Sequence, residues 1–110
     1  MNCLQTVVET EPFLRRVKAI MTDEEREAIV VFLAANPEAG ISLGGGVRIA
    51  REGGGKSGGY RTLYVFGGAH VPLFLLTVFA KNEKDNLTKA EQAAAVELSK
   101  KLIATYGVQS

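Results

Sequence analysis

Lys56, Arg61 and Lys81 are the side chains whose types and spacing point to chemistry on a phosphate. An arginine fork grips phosphate oxygens in pairs, and a lysine adds a compact point charge whose pKa falls where other cations crowd it. Such a cluster can stabilise charge that builds on a phosphate in transfer, and a lysine of lowered pKa can assist proton transfer. Lys56 sits inside the run Gly53-Gly54-Gly55-Lys56-Ser57-Gly58-Gly59, where the missing Cβ atoms let backbone approach a ligand closely. The same spacing also fits a solvated basic edge, so residue type alone leaves both readings open.

Other chemistries find less support. Ala50 to Ser57 resembles a relaxed Walker A motif, with Ala50 where the first glycine would stand. That mechanism needs a helix immediately after the lysine and serine, and here Gly58-Gly59 and a strand-like run follow. His70 is the only histidine and Cys3 the only cysteine, too few for a histidine metal cluster or a zinc site. His70 reads as an exposed turn residue, and neither a serine–histidine triad nor a cofactor is expected.

The elements that must position the three cations follow from periodicity. Tyr60 to Phe66 and Leu73 to Ala80 are rich in aromatic and β-branched residues, as strands are, and Gly67-Gly68-Ala69-His70 supplies turn chemistry between them. An antiparallel hairpin places Lys56 and Arg61 at one strand's entrance, with Lys81 and Asn82 at the other's exit, on one end of the sheet. Leu73 to Ala80, apolar on both alternating faces, is expected to be central. Val47 and Ile49 alternate with Arg48 and Ala50 on a preceding strand that Gly44-Gly45-Gly46 opens.

Cys3 to Glu9 is expected as a short first strand, and Thr10-Glu11-Pro12 as a helix start with Thr10 capping. Phe13, Val17 and Ile20 would face the core. Thr22 and Glu25 form a capping-box pattern before the stripe Ile29, Phe32, Leu33, and Asn36-Pro37 ends that helix. Thr88 and Glu91 form a second capping box, before a helix carrying Ala94, Leu98, Leu102 and Tyr106 down one side until Gly107. The order β-α-α-β-β-β-α predicts an α+β fold, a small antiparallel sheet covered by two N-terminal helices and one C-terminal helix.

At 110 residues this is read as one domain, 1–110, large enough for an ordinary core. The lone cysteine fits a reducing compartment, and no apolar leader or apolar stretch of ~18 residues is seen, so a cytoplasmic protein without a membrane segment is expected. The net charge of +1 is unevenly spread. Between Gly44 and Asn82, Arg48, Arg51, Lys56, Arg61 and Lys81 face the single acid Glu52, which leaves the flanks acidic. A polarised surface of this kind can attract a polyanion, although solvated charges that blunt strand edges account for it as simply.

Gly58-Gly59-Tyr60-Arg61, with Leu76-Thr77-Val78-Phe79-Ala80-Lys81-Asn82-Glu83-Lys84 after it, resembles the RelE/HigB toxins of bacterial type II toxin–antitoxin modules. The similarity extends to Gly46-Val47-Arg48 and to Leu87-Thr88-Lys89-Ala90-Glu91. It implies a RelE-like toxin that enters the ribosomal A site and cuts bound mRNA without a metal. The RNA's own 2′-OH attacks the adjacent phosphate, leaving a cyclic phosphate and a free 5′-OH. The resemblance makes Arg61 the phosphate-stabilising position and puts Lys56 in the loop of catalytic or RNA-contacting lysines. Lys81 and Asn82 fall at the basic end of the last strand, and Arg48, Arg51 and Lys84 are assigned to RNA phosphates. The aromatic that some members carry after that strand is replaced here by Leu87 and Thr88. The implied partners are a cognate antitoxin, the ribosome and mRNA. A ParE-like gyrase inhibitor and a non-catalytic RNA-binding member of the same fold are the alternatives.

Overall fold

The computed structural model describes residues 4–51, 59–81, 83 and 87–107. Strand β1 (Val7–Glu9) leads through Thr10 into helix α1 (Glu11–Ile20), followed by helix α2 (Asp23–Ala35). Strands β2 (Ile41–Gly44), β3 (Val47–Ala50), β4 (Tyr60–Val65) and β5 (Leu73–Ala80) precede the C-terminal helix α3 (Lys89–Gly107). The sheet order is β1-β5-β4-β3-β2.

The expected α+β class holds, with two differences in the sheet. Strand β1 pairs parallel with β5, Val7 opposite Leu73 and Glu9 opposite Leu75, so the sheet is mixed rather than antiparallel. No hairpin joins these strands; the whole α1 to β4 segment separates them, and a long connection leaves either direction open. The second difference is β2. Gly44-Gly45-Gly46 does not open a strand from a loop but turns a β2–β3 hairpin, with φ of +99°, +63° and +90°.

Each sheet face carries its own core. Phe13 and Val17 of α1 and Ile29 and Leu33 of α2 pack on Tyr60, Tyr64, Leu75 and Val78. On the opposite face, Ala95 of α3 packs with Val47, Ile49, Leu63, Phe74 and Phe79. Strands β4 and β5 are therefore covered on both sides and buried along almost their whole length, and β5 reads as a nearly continuous apolar run. Opposite Leu63 stands Thr77, yet opposite Tyr64 stands Leu75, so Leu76 is an extra residue in β5. This bulge resets the alternation. Beyond it Val78 joins the α1/α2 core and Phe79 the α3 core.

The helix ends largely follow the sequence signals. In α2, Thr22 Oγ1 accepts from the Glu25 N–H at 3.1 Å while Glu25 accepts from the Thr22 N–H at 2.9 Å. Thr88 and Glu91 repeat this box before α3. Thr10 departs from expectation. It stands at the N-cap of α1, but its hydroxyl donates to the Leu75 carbonyl of β5 at 2.7 Å instead of capping the helix. The buried stripe of α3 is also rotated from the expected one. Ala95 and Ser99 face the sheet with Leu102 and Ile103 beside them, while Leu98 is exposed and Tyr106 only leans on Phe74. An alanine-rich helix leaves its inner side poorly marked by size, and three glycines in the β turns admit the small face closely. An added Cβ on Gly45 would meet Val96 at 2.8 Å, and one on Gly46 would meet Ile103 at 2.7 Å.

Candidate functional site

Three strand ends meet at one edge of the molecule. Ala50, the last residue of β3, is opposite Thr62, and Tyr60, the first of β4, is opposite Ala80, the last of β5. One rung further, the Lys81 N–H donates to the Gly59 carbonyl at 3.4 Å. The hairpin thus brings Arg61 and Lys81 to the same end of the sheet, as the sequence predicts. Arg51 and Gly59, the described residues that bracket the glycine-rich segment, stand there too. Lys56, Asn82 and Lys84 lie outside the described residues.

Alternation across the sheet then sorts the motif residues by face. Residues opposite each other in an antiparallel pair share a face, so Arg61, opposite Phe79, lies on the α3 side. Arg51 joins it, lining a small hollow with Ile49, Leu87 and Gln92. Tyr60 faces the other way. Its hydroxyl donates to the Ile20 carbonyl at 3.0 Å, and burial, reinforced by Glu25, holds its pKa above the ordinary tyrosine range. The Tyr-Arg pair is therefore one anchor to the helical hairpin and one cation on the opposite face. Only 6 % of Arg61 is exposed, an unusual burial for a guanidinium.

Arg48 separates from this group. It is opposite Tyr64 and so lies on the α1/α2 face, where its guanidinium donates to the Glu38 carbonyl at 3.1 Å and the Gly40 carbonyl at 2.6 Å. Those bonds brace the loop between α2 and β2, together with Tyr64, whose hydroxyl donates to the Pro37 carbonyl and accepts from the Gly40 N–H. A Cβ on Gly40 would fall 2.8 Å from that hydroxyl, which explains the glycine. Burial raises the Tyr64 pKa, with the Gly40 bond and Arg48 opposing the rise.

Beside the cationic end runs a cleft of about 440 Å³, floored by Leu63, Thr77, Phe79 and Leu87 and rimmed by Arg16, Glu83 and Glu91. Arg16 reaches it from α1, donating from Nε to the Val78 carbonyl at 3.2 Å and pairing with Glu83. No local pattern in the sequence marks this pair. Glu83 lies in the Lys81-Asn82-Glu83-Lys84 segment, but its partner is 67 residues away. Arg51, Arg61 and Lys81 supply fixed positive charge at one sheet end, suited to a polyanion that lies across the α3 face.

Among the described residues no helix is long and apolar enough to cross a membrane. The family model for the RelE toxin of the RelE/RelB toxin–antitoxin system matches residues 7–109, from β1 through α3. A toxin of this kind has an antitoxin as its partner. The chain belongs to the RelE toxin family.

Proposed function

We propose that this toxin is a ribosome-dependent endoribonuclease that cuts mRNA in the A site and so arrests translation. The observation that carries this reading is the meeting of Arg61, Arg51 and Lys81 at one end of the sheet, two of them on the α3 face. In the reaction the 2′-OH of the message attacks the adjacent phosphate, the bond to the 5′ oxygen breaks, and a cyclic phosphate and a 5′-OH result. Arg61, held rigidly by burial, stabilises the charge on the phosphate without having to reorganise. Lys56 acts with it from the glycine-rich segment, and Lys81 and Asn82 assist from the end of β5. Arg51 and Lys84 hold flanking phosphates, contacts that position the RNA without reading its sequence. Arg48, expected among these contacts, is assigned instead to bracing the Glu38–Gly40 loop, because it lies on the opposite face with Nη1 bonded to both loop carbonyls.

The test is a 5′-end map of messages in a translating extract, with the wild type and with Arg61→Lys. New 5′ ends confined to translated messages, and lost in the variant, are expected. Intact messages together with DNA breaks in growing cells would overturn the reading in favour of a gyrase poison of the same fold.

A further inference from the structure

We propose that Arg16 and Glu83 are positioning residues, a clasp across the open edge of β5 that sets where Lys81 presents its charge. The proposal rests on the nuclease reading above. Strand β1 covers β5 only from Leu73 to Leu75, so among the described residues the edge beyond the bulge has no strand beside it. Two side chains take that place. Arg16 Nε donates to the Val78 carbonyl at 3.2 Å, and the Ala80 N–H donates to Glu83 Oε1 at 2.9 Å. The same Glu83 oxygen accepts from Arg16 Nη2, and the Glu83 N–H returns to the Ala80 carbonyl at 2.9 Å. Lys81 thus lies within a short turn whose two ends, Ala80 and Glu83, are tied to each other and, through Arg16, to α1. Its own N–H is held from the other side by Gly59.

Stability does not explain the clasp. Arg16 and Glu83 keep 39 % and 43 % of their side-chain surface exposed, and ion pairs in that setting add little to folding. Their effect is geometric. Without the carboxylate, the Ala80 N–H and Arg16 both lose an acceptor, and the turn carrying Lys81 loses its tie to α1 and is held only by its backbone bonds to Gly59 and Ala80. Misplacement of a charge by about an ångström is enough to slow a positioned reaction strongly.

The experiment compares wild type, Arg16→Gln, Glu83→Ala, Glu83→Gln and the Arg16→Gln/Glu83→Ala double variant. It reads single-turnover cleavage on programmed ribosomes, ribosome affinity, Tm and amide exchange at Ala80. Arg16→Gln and Glu83→Ala are each expected to slow cleavage about tenfold, and the double variant no more than either. Ribosome affinity should stay at the wild-type value and Tm within a few degrees of it, while the Ala80 amide exchanges faster in Glu83→Ala. Glu83→Gln, which keeps an acceptor for Ala80 and Arg16, should restore most of the rate. Unchanged rates, losses that multiply in the double variant, or losses that follow a fall in Tm would each overturn the clasp. A wild type that cuts nothing is a different result: it removes the nuclease reading itself, and the positioning role with it.

Discussion

Arg61 joins two demands that usually conflict, since it is assigned to a phosphate and yet lies 6 % exposed within the sheet. From sequence, charge reversal at this position would be chosen to abolish toxicity with the fold intact. The burial changes that expectation. A glutamate there would be a carboxylate taken out of water, and Arg61→Glu should lose structure along with activity. Arg61→Lys is the cleaner probe; it keeps the charge, loses the bidentate fork, and should cut single-turnover cleavage by about 100-fold with Tm within a few degrees of wild type. Tyr64 gives a second prediction. Tyr64→Phe leaves the Gly40 N–H and Pro37 carbonyl without their partner, a loss of about 1–3 kcal/mol by urea denaturation at neutral pH. Because burial raises the folded Tyr64 pKa, the unfolded chain ionises first as pH climbs. Its stabilising effect is whole below the ordinary tyrosine value of about 10 and is lost as pH rises through the folded value. The decline in stability above that point should therefore be shallower in Tyr64→Phe than in wild type. An equal slope would show that Tyr64 does not carry it.

Helix α3 holds to the sheet by a narrow inner face rather than by bulk. Its buried residues are Ala95 and Ser99, and the Ser99 hydroxyl donates to the Gly45 carbonyl in the β2–β3 turn. Comparing two glycines of that turn isolates what the close approach contributes. Gly44 and Gly46 have similar positive φ, +99° and +90°, but a Cβ on Gly44 meets nothing within 4 Å, whereas one on Gly46 meets Ile103 and Ser99 at under 3 Å. Gly44→Ala should cost about 1–2 kcal/mol of backbone strain alone, and Gly46→Ala about 1–3 kcal/mol more, with faster amide exchange along α3. Equal costs would mean that the helix shifts freely. This element also shows where sequence stops being legible. The capping boxes at Thr22 and Thr88 and the β4–β5 hairpin are local patterns, readable within a few residues. The parallel pairing of β1, the bulge at Leu76 and the rotation of α3 depend on contacts between distant segments. The candidate site divides in the same way. That Arg61 and Lys81 share a sheet end follows from the hairpin, and alternation separates Arg48 from Arg51, but which of the two shares the face of Arg61 requires the strand register.

For the molecule as a whole, a net charge of +1 conceals a sorting of cations by sheet face. Arg51 and Arg61 lie on the α3 side, whereas Arg48 is spent on carbonyls of the α1/α2 side. If RNA crosses the α3 face, only cations on that side release counterions when it binds. Each phosphate contact with single-stranded RNA contributes about −0.7 to the slope of log K against log salt. Arg51→Gln should therefore weaken that slope by about 0.7 while leaving Tm unchanged, because Arg51 is exposed. Arg48→Gln should do the reverse, keeping the slope but lowering stability by about 1 kcal/mol as the Glu38 and Gly40 carbonyls lose their donor. Titrating a short RNA oligonucleotide across a salt series, beside thermal melts, measures both. A slope that falls with Arg48→Gln and holds with Arg51→Gln would place the RNA on the α1/α2 face. Arg61 would then be on the wrong side of the sheet to meet the scissile phosphate.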